Sequence, residues 1–66
     1  TRVRRGDKYY YLNDTLEIRE CRDNYRPADR KRLECGNYFM ERRDAELVRD
    51  CVRSVVRLNR DKDARR

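Results

Sequence analysis

The residues from Arg32 to Glu46 constrain the fold of this chain more than any others. Leu33 and Cys35 alternate as in a strand, Gly36-Asn37 interrupts the run, and Phe39 resumes the same parity. From Ala45 onward the apolar spacing changes to that of a helix. Ala45, Val48, Cys51, Val52, Val55, Val56 and Leu58 fall in one broad stripe at 100° per residue, with Leu47 at its edge. A strand running through a Gly-Asn break into a long amphipathic helix, from about Glu41 to Arg60, is the expectation. Four valines make that helix weak in isolation, so packing must hold it.

Upstream, Lys8 to Leu12 (Lys-Tyr-Tyr-Tyr-Leu) has strong strand propensity, Asn13-Asp14 has turn chemistry, and Thr15 to Arg22 resumes with Leu16 and Ile18 on one face. The alternation slips before Cys21, which marks a bulge or the strand's end near Glu20. Asp23 to Asp29, with Pro27, reads as loop, and Arg30 to Cys35 as a third strand. The predicted fold is α+β: a three-stranded antiparallel sheet covered by one C-terminal amphipathic helix, βββα. Residues 1–7 read as a basic N-terminal arm, 8–60 as a single domain and 61–66 as a charged tail. The expected core is Tyr10, Leu12, Leu16, Ile18, Leu33, Cys35 and Phe39, closed by the helix stripe.

The chain has 66 residues, enough for one small domain that buries roughly 60% of its unfolded surface. Burial against a second chain would add stability. A sheet covered on one side also leaves a bare face and edge, so a homodimer or a tightly bound partner is expected. The chain begins at Thr1, and an upstream segment or tag is expected to have been removed. No apolar run is long enough for a signal peptide or a membrane span.

Nearly half the residues are charged, with 19 basic against 13 acidic, and sixteen of the basic residues are arginine. Arginine favours planar, bidentate recognition of phosphate or carboxylate. The excess lies at both ends and the middle is neutral. On the helix, Arg42, Arg49, Arg53, Arg57 and Arg60 fall within about 80° of arc, opposite the apolar stripe. They form either a phosphate-binding stripe or a solvated face laced by Glu46 and Asp50. Arg4 and Arg5 of the arm extend the basic surface. Tyr9 and Tyr11, on the outer sheet face, are candidates for base stacking, for a protein interface or for plain strand packing.

Catalysis has little material here. Histidine is absent, the three cysteines lack zinc-ligand spacing, and no Gly-rich phosphate loop is present. No enzyme activity, metal, cofactor or small-molecule substrate is expected. Three cysteines without a Cys-x-x-Cys pair read as small core residues of a reducing cytosol; a Cys21–Cys35 bridge across a strand pair is the alternative. Arg5-Gly6-Asp7 and the sequon Asn13-Asp14-Thr15 are short patterns that arise by chance.

Tyr9 to Leu12, Asp29 to Arg32, Gly36-Asn37-Tyr38-Phe39 and Asp44-Ala45-Glu46, taken in order, resemble a pattern found in small uncharacterised phage and prophage proteins. There a Tyr-rich strand, an Asp-x-x-Arg run, a Gly-Asn-aromatic-Phe element and an acidic-Ala-Glu helix start follow one another. This chain departs at Glu41, where the pattern has a Thr or Ser N-cap. The resemblance implies a mobile-element origin and a cytoplasmic location in an infected or lysogenic bacterial host. It also implies a non-enzymatic inhibitor docking on a host nucleic-acid-handling complex, an anti-CRISPR protein for example. The alternative is a sequence-tolerant DNA- or RNA-binding protein or small regulator using its Arg-rich surface.

Overall fold

The computed structural model describes residues 1–64. Strand β1 (Lys8–Leu12) and strand β2 (Ile18–Arg22) form an antiparallel hairpin, with Tyr10 opposite Glu20. Helix α1 (Pro27–Cys35) and helix α2 (Arg42–Ala64) follow. The expected three-stranded sheet with one helix is therefore replaced by two strands and two helices.

The reason lies at the ends of α1. Pro27 occupies the first helical turn, where its fixed φ suits the helix and its missing N–H costs nothing. Asp29 turns back and accepts the Arg26 N–H at 3.2 Å. At the other end Gly36 takes φ 83°, and its N–H reaches the Leu33 carbonyl at 3.3 Å. The alternation of Leu33 and Cys35 spans too few residues to outweigh these signals. Gly36→Ala should cost about 1 kcal/mol, because the left-handed conformation penalises a Cβ even where nothing crowds it. A urea melt of the variant checks this.

The role of a third strand passes to a short segment. Asn37 brackets Leu12 with its side-chain amide: Oδ1 accepts the Leu12 N–H at 2.8 Å, and Nδ2 donates to the Leu12 carbonyl at 2.7 Å. Phe39 and Tyr10 then exchange backbone bonds of 2.8 and 2.7 Å. Tyr38, between Asn37 and Phe39, stacks on Tyr9 with ring centroids 4.2 Å apart.

The hairpin turn also differs in detail. The Asn13 side chain accepts the Thr15 and Glu17 N–H groups, and Leu16 sits at φ 62°, so β2 begins at Ile18. The first seven residues are not a free arm. Val3 is buried, and Gly6 donates its N–H to the Asp23 carbonyl at 2.7 Å. Helix α2 continues past its expected end, so residues 61–64 are helical; the rest of the expected tail, Arg65 and Arg66, lies outside the described residues.

The buried core is small: Val3, Tyr9 and Ala45, with Asp23 and Asp29. Tyr9, not Tyr10, is enclosed, because Asp29 and Arg32 of α1 bond its hydroxyl and the Tyr38 ring stacks on it. Leu12, Leu16, Ile18, Leu33, Phe39 and Val52 are half-buried, whereas Cys35, Val48, Cys51, Val55, Val56 and Leu58 are exposed. Helix α2 packs across both strands, and the molecule is elongated, 49 Å long and 22 Å wide. The cysteines are free thiols, and Cys35 lies on α1 rather than across a strand from Cys21. No described helix is long and apolar enough to cross a membrane.

Candidate functional site

Two polar clusters occupy the molecule, and they do different work. The first is internal. The Tyr9 hydroxyl donates to Asp29 Oδ1 at 2.5 Å and accepts from Arg32 Nη1 at 2.8 Å. Asp29 also receives the N–H groups of Asn24 and Arg26. Burial works to raise the Asp29 pKa, and these hydrogen bonds overcome it and hold the carboxyl below its ordinary value. Burial, and then the Asp29 carboxylate, push the Tyr9 phenol well above its usual range.

In the same interior, Asp23 is fully buried. It accepts two bonds from Arg2, at 2.7 and 3.0 Å, one from the Tyr25 N–H at 2.9 Å and one from the Tyr38 hydroxyl at 2.8 Å. The Arg2 guanidinium is the main reason its pKa drops to about 2. Tyr25 returns a bond to the Val3 carbonyl, and Arg2 lies over the Tyr25 ring at 4.1 Å. Every buried side-chain polar atom among the described residues has a partner. This network joins the N-terminus, hairpin, α1 and the Asn37–Phe39 segment, and leaves no group free for a ligand.

That arrangement removes Tyr9 and Tyr11 as stacking platforms. Tyr9 has no exposed surface. Tyr11 is half-buried, and the Arg32 guanidinium covers its ring at 3.7 Å. Arg4 and Arg5 are exposed, at the turn that ends in Asp7.

The second cluster is open. The five arginines expected along α2 divide into two groups. Arg42 pairs with Glu46 at 3.3 Å, and the half-buried Arg49 pairs with Asp50 at 3.1 Å. Arg53, Arg57 and Arg60, one helical turn apart, instead line a cleft of about 270 Å³ together with Val56 and Leu16. Among the described side chains no carboxylate pairs with these three arginines. Leu16 reaches the cleft from the hairpin turn, where its left-handed backbone is a strained choice for a leucine. Sequence reasoning found the arginines by their spacing. It missed Leu16 as part of their site, because only the fold brings the turn to the far half of α2.

The cleft has an apolar floor and a one-signed rim. It offers many N–H donors and no acceptor side chain, so it suits an anion with several oxygens. No nucleophile or general base lines it. Compared with models of protein families, with curated proteins and with solved structures, the chain matches none.

Proposed function

We propose that this protein is a non-enzymatic, sequence-tolerant nucleic-acid-binding module that holds the phosphate backbone in the cleft of Arg53, Arg57 and Arg60. The observation that carries this reading is the convergence of three guanidinium groups, unpaired among the described side chains, on one cleft. From Arg53 to Arg60 the helix rises about 10 Å, about three phosphates along a duplex axis at roughly 3.4 Å per strand step. Contacts to phosphate fix position and carry no sequence information, so such a module is sequence-tolerant. The residues that carry the resemblance to phage proteins support the fold instead. Asp29, Arg32 and Tyr38 are engaged in the internal network, Asn37 and Phe39 bond β1, and Gly36 caps α1.

Gel retardation with short duplex and single-stranded DNA, at several salt concentrations, tests the assignment. Binding should weaken steeply with salt. Changing Arg53, Arg57 and Arg60 together to alanine should flatten the log–log salt slope on duplex DNA by about 2.7, at roughly 0.9 for each phosphate no longer neutralised. All three are exposed, so circular dichroism should be unchanged. Failure to bind at low salt, with capture of a host nucleic-acid-handling complex, would replace this reading with that of a mobile-element inhibitor.

A further inference from the structure

Phosphate binding leaves half of the arginine cleft without a partner. The cleft holds about 270 Å³, and Leu16 and Val56 line it beside the three arginines. Val56 lies three residues after Arg53 and four before Arg60, so an apolar side chain sits between cationic neighbours on one helix face. Leu16 joins it from the hairpin turn. On the basis of the nucleic-acid assignment, we infer that the occupant is a single strand. One unpaired base lies on Leu16 and Val56, and the phosphates beside it meet Arg53, Arg57 and Arg60.

Shape and polarity select the unpaired strand. A duplex keeps its base faces stacked inside and presents sugars, base edges and charged phosphates outward. That surface satisfies the guanidinium rim and leaves the apolar floor uncovered. A duplex is also too wide to enter a cleft of this volume, so only its phosphates reach the rim. An unpaired base has two flat faces of low polarity, which pack on apolar side chains and on guanidinium planes alike. The floor is open to such a base: Leu16 is half-buried and Val56 is 42% exposed. The rim supplies N–H donors alone, which suits the phosphate oxygens on either side of it.

The hairpin turn holds Leu16 in place before any ligand arrives. Asn13 Oδ1 accepts the Thr15 N–H at 3.1 Å and the Glu17 N–H at 2.8 Å. The Asn13 carbonyl accepts the Leu16 N–H at 3.0 Å, and Asn13 Nδ2 donates to Glu17 Oε1 at 3.2 Å. These bonds keep Leu16 at φ 62°, a conformation that glycine or asparagine adopts at lower cost. Backbone geometry alone favours one of those two residues. Leucine adds an apolar side chain to the cleft.

Fluorescence anisotropy on the full chain tests this with three labelled probes of equal length: an oligothymidylate strand, the same strand without bases, and a duplex. The base-bearing strand should bind about fivefold more tightly than either other probe, the low end of what one stacked base contributes. Leu16→Asn, which suits the left-handed turn, should keep the circular dichroism spectrum and lose about fivefold on that strand. Its salt slope should not change, because no phosphate contact is lost. Its binding to the abasic strand and to the duplex should equal that of the wild type. Equal binding of the base-bearing and abasic strands, tighter binding of the duplex, or a Leu16→Asn protein that binds oligothymidylate like the wild type would each overturn the seated base and leave the phosphate assignment standing. Binding to none of the three probes would remove both.

Discussion

Asp23→Ala should remove about 3 kcal/mol of folding stability, the low end of the range for stripping one partner from a buried ion pair, because the Arg2 left behind is partly exposed. The carboxylate is fully buried and receives four hydrogen bonds from three different segments. Its loss frees the Arg2 guanidinium, leaves the Tyr38 hydroxyl without its acceptor and unties the N-terminus from the body. Domains of this size have little stability in reserve, and each kcal/mol corresponds to about 4–8 °C in melting temperature. The melting temperature should therefore fall by more than ten degrees. Arg2→Ala/Asp23→Ala should cost less than the two single losses added together, since the two residues share one interaction.

The same residue leaves a signature in pH. Asp23 is held at about 2, against an ordinary value of 3.8. A depressed carboxylate contributes its full stabilisation above its unfolded pKa and loses it as pH falls through the folded value. The window is therefore between about pH 4 and pH 2, and a shift of nearly two units corresponds to about 2 kcal/mol. Acid titration of the wild type should show stability falling through that window. Asp23→Asn, less stable at neutral pH, should lose less across it. A wild type as stable at pH 2 as at pH 5 would contradict the Arg2–Asp23 contact.

Tyr9→Ala should be comparably severe, on the order of 3–5 kcal/mol, the cost of truncating a large buried aromatic. Tyr9 is the largest fully buried side chain. Its ring stacks on Tyr38 and meets Tyr11, and its hydroxyl links Asp29 to Arg32. Tyr9→Phe separates the two contributions. It keeps the ring and leaves the buried Asp29 carboxylate and the Arg32 guanidinium each short of a partner, for about 1–3 kcal/mol. Denaturant melts of the two variants should rank wild type, Tyr9→Phe, Tyr9→Ala in falling stability. A Tyr9→Phe protein as stable as wild type would mean that the hydroxyl is not the link between β1 and α1.

Local chemistry was enough to place the hairpin and the long helix. Lys8 to Leu12 combines strand propensity with turn chemistry at Asn13, and the stripe from Ala45 to Leu58 has a clear helical period. The start signals of α1 were also present, as Pro27, Asp29 and Gly36, but the alternation of Leu33 and Cys35 imitated a strand over the same residues. The end signals outweigh an alternation of only two apolar residues, and the contacts of Asp29 and Arg32 with Tyr9, twenty or more residues away, then fix the helix against the hairpin.

The candidate site divides in the same way. Helical spacing alone put Arg42, Arg49, Arg53, Arg57 and Arg60 on one face. Spacing could not say that the first two are neutralised by Glu46 and Asp50, or that the other three meet Leu16 from the hairpin turn. The choice of Tyr9 over Tyr10 as the buried ring was equally out of reach. The run puts Tyr9 and Tyr11 on one face and Lys8, Tyr10 and Leu12 on the other, and both sets are apolar enough to face an interior. Asp29, Arg32 and Tyr38, all far from Tyr9 in sequence, close over its ring and made that side the interior. Periodicity along the chain thus determined the elements and their faces, while contacts between residues far apart in sequence decided what each face meets.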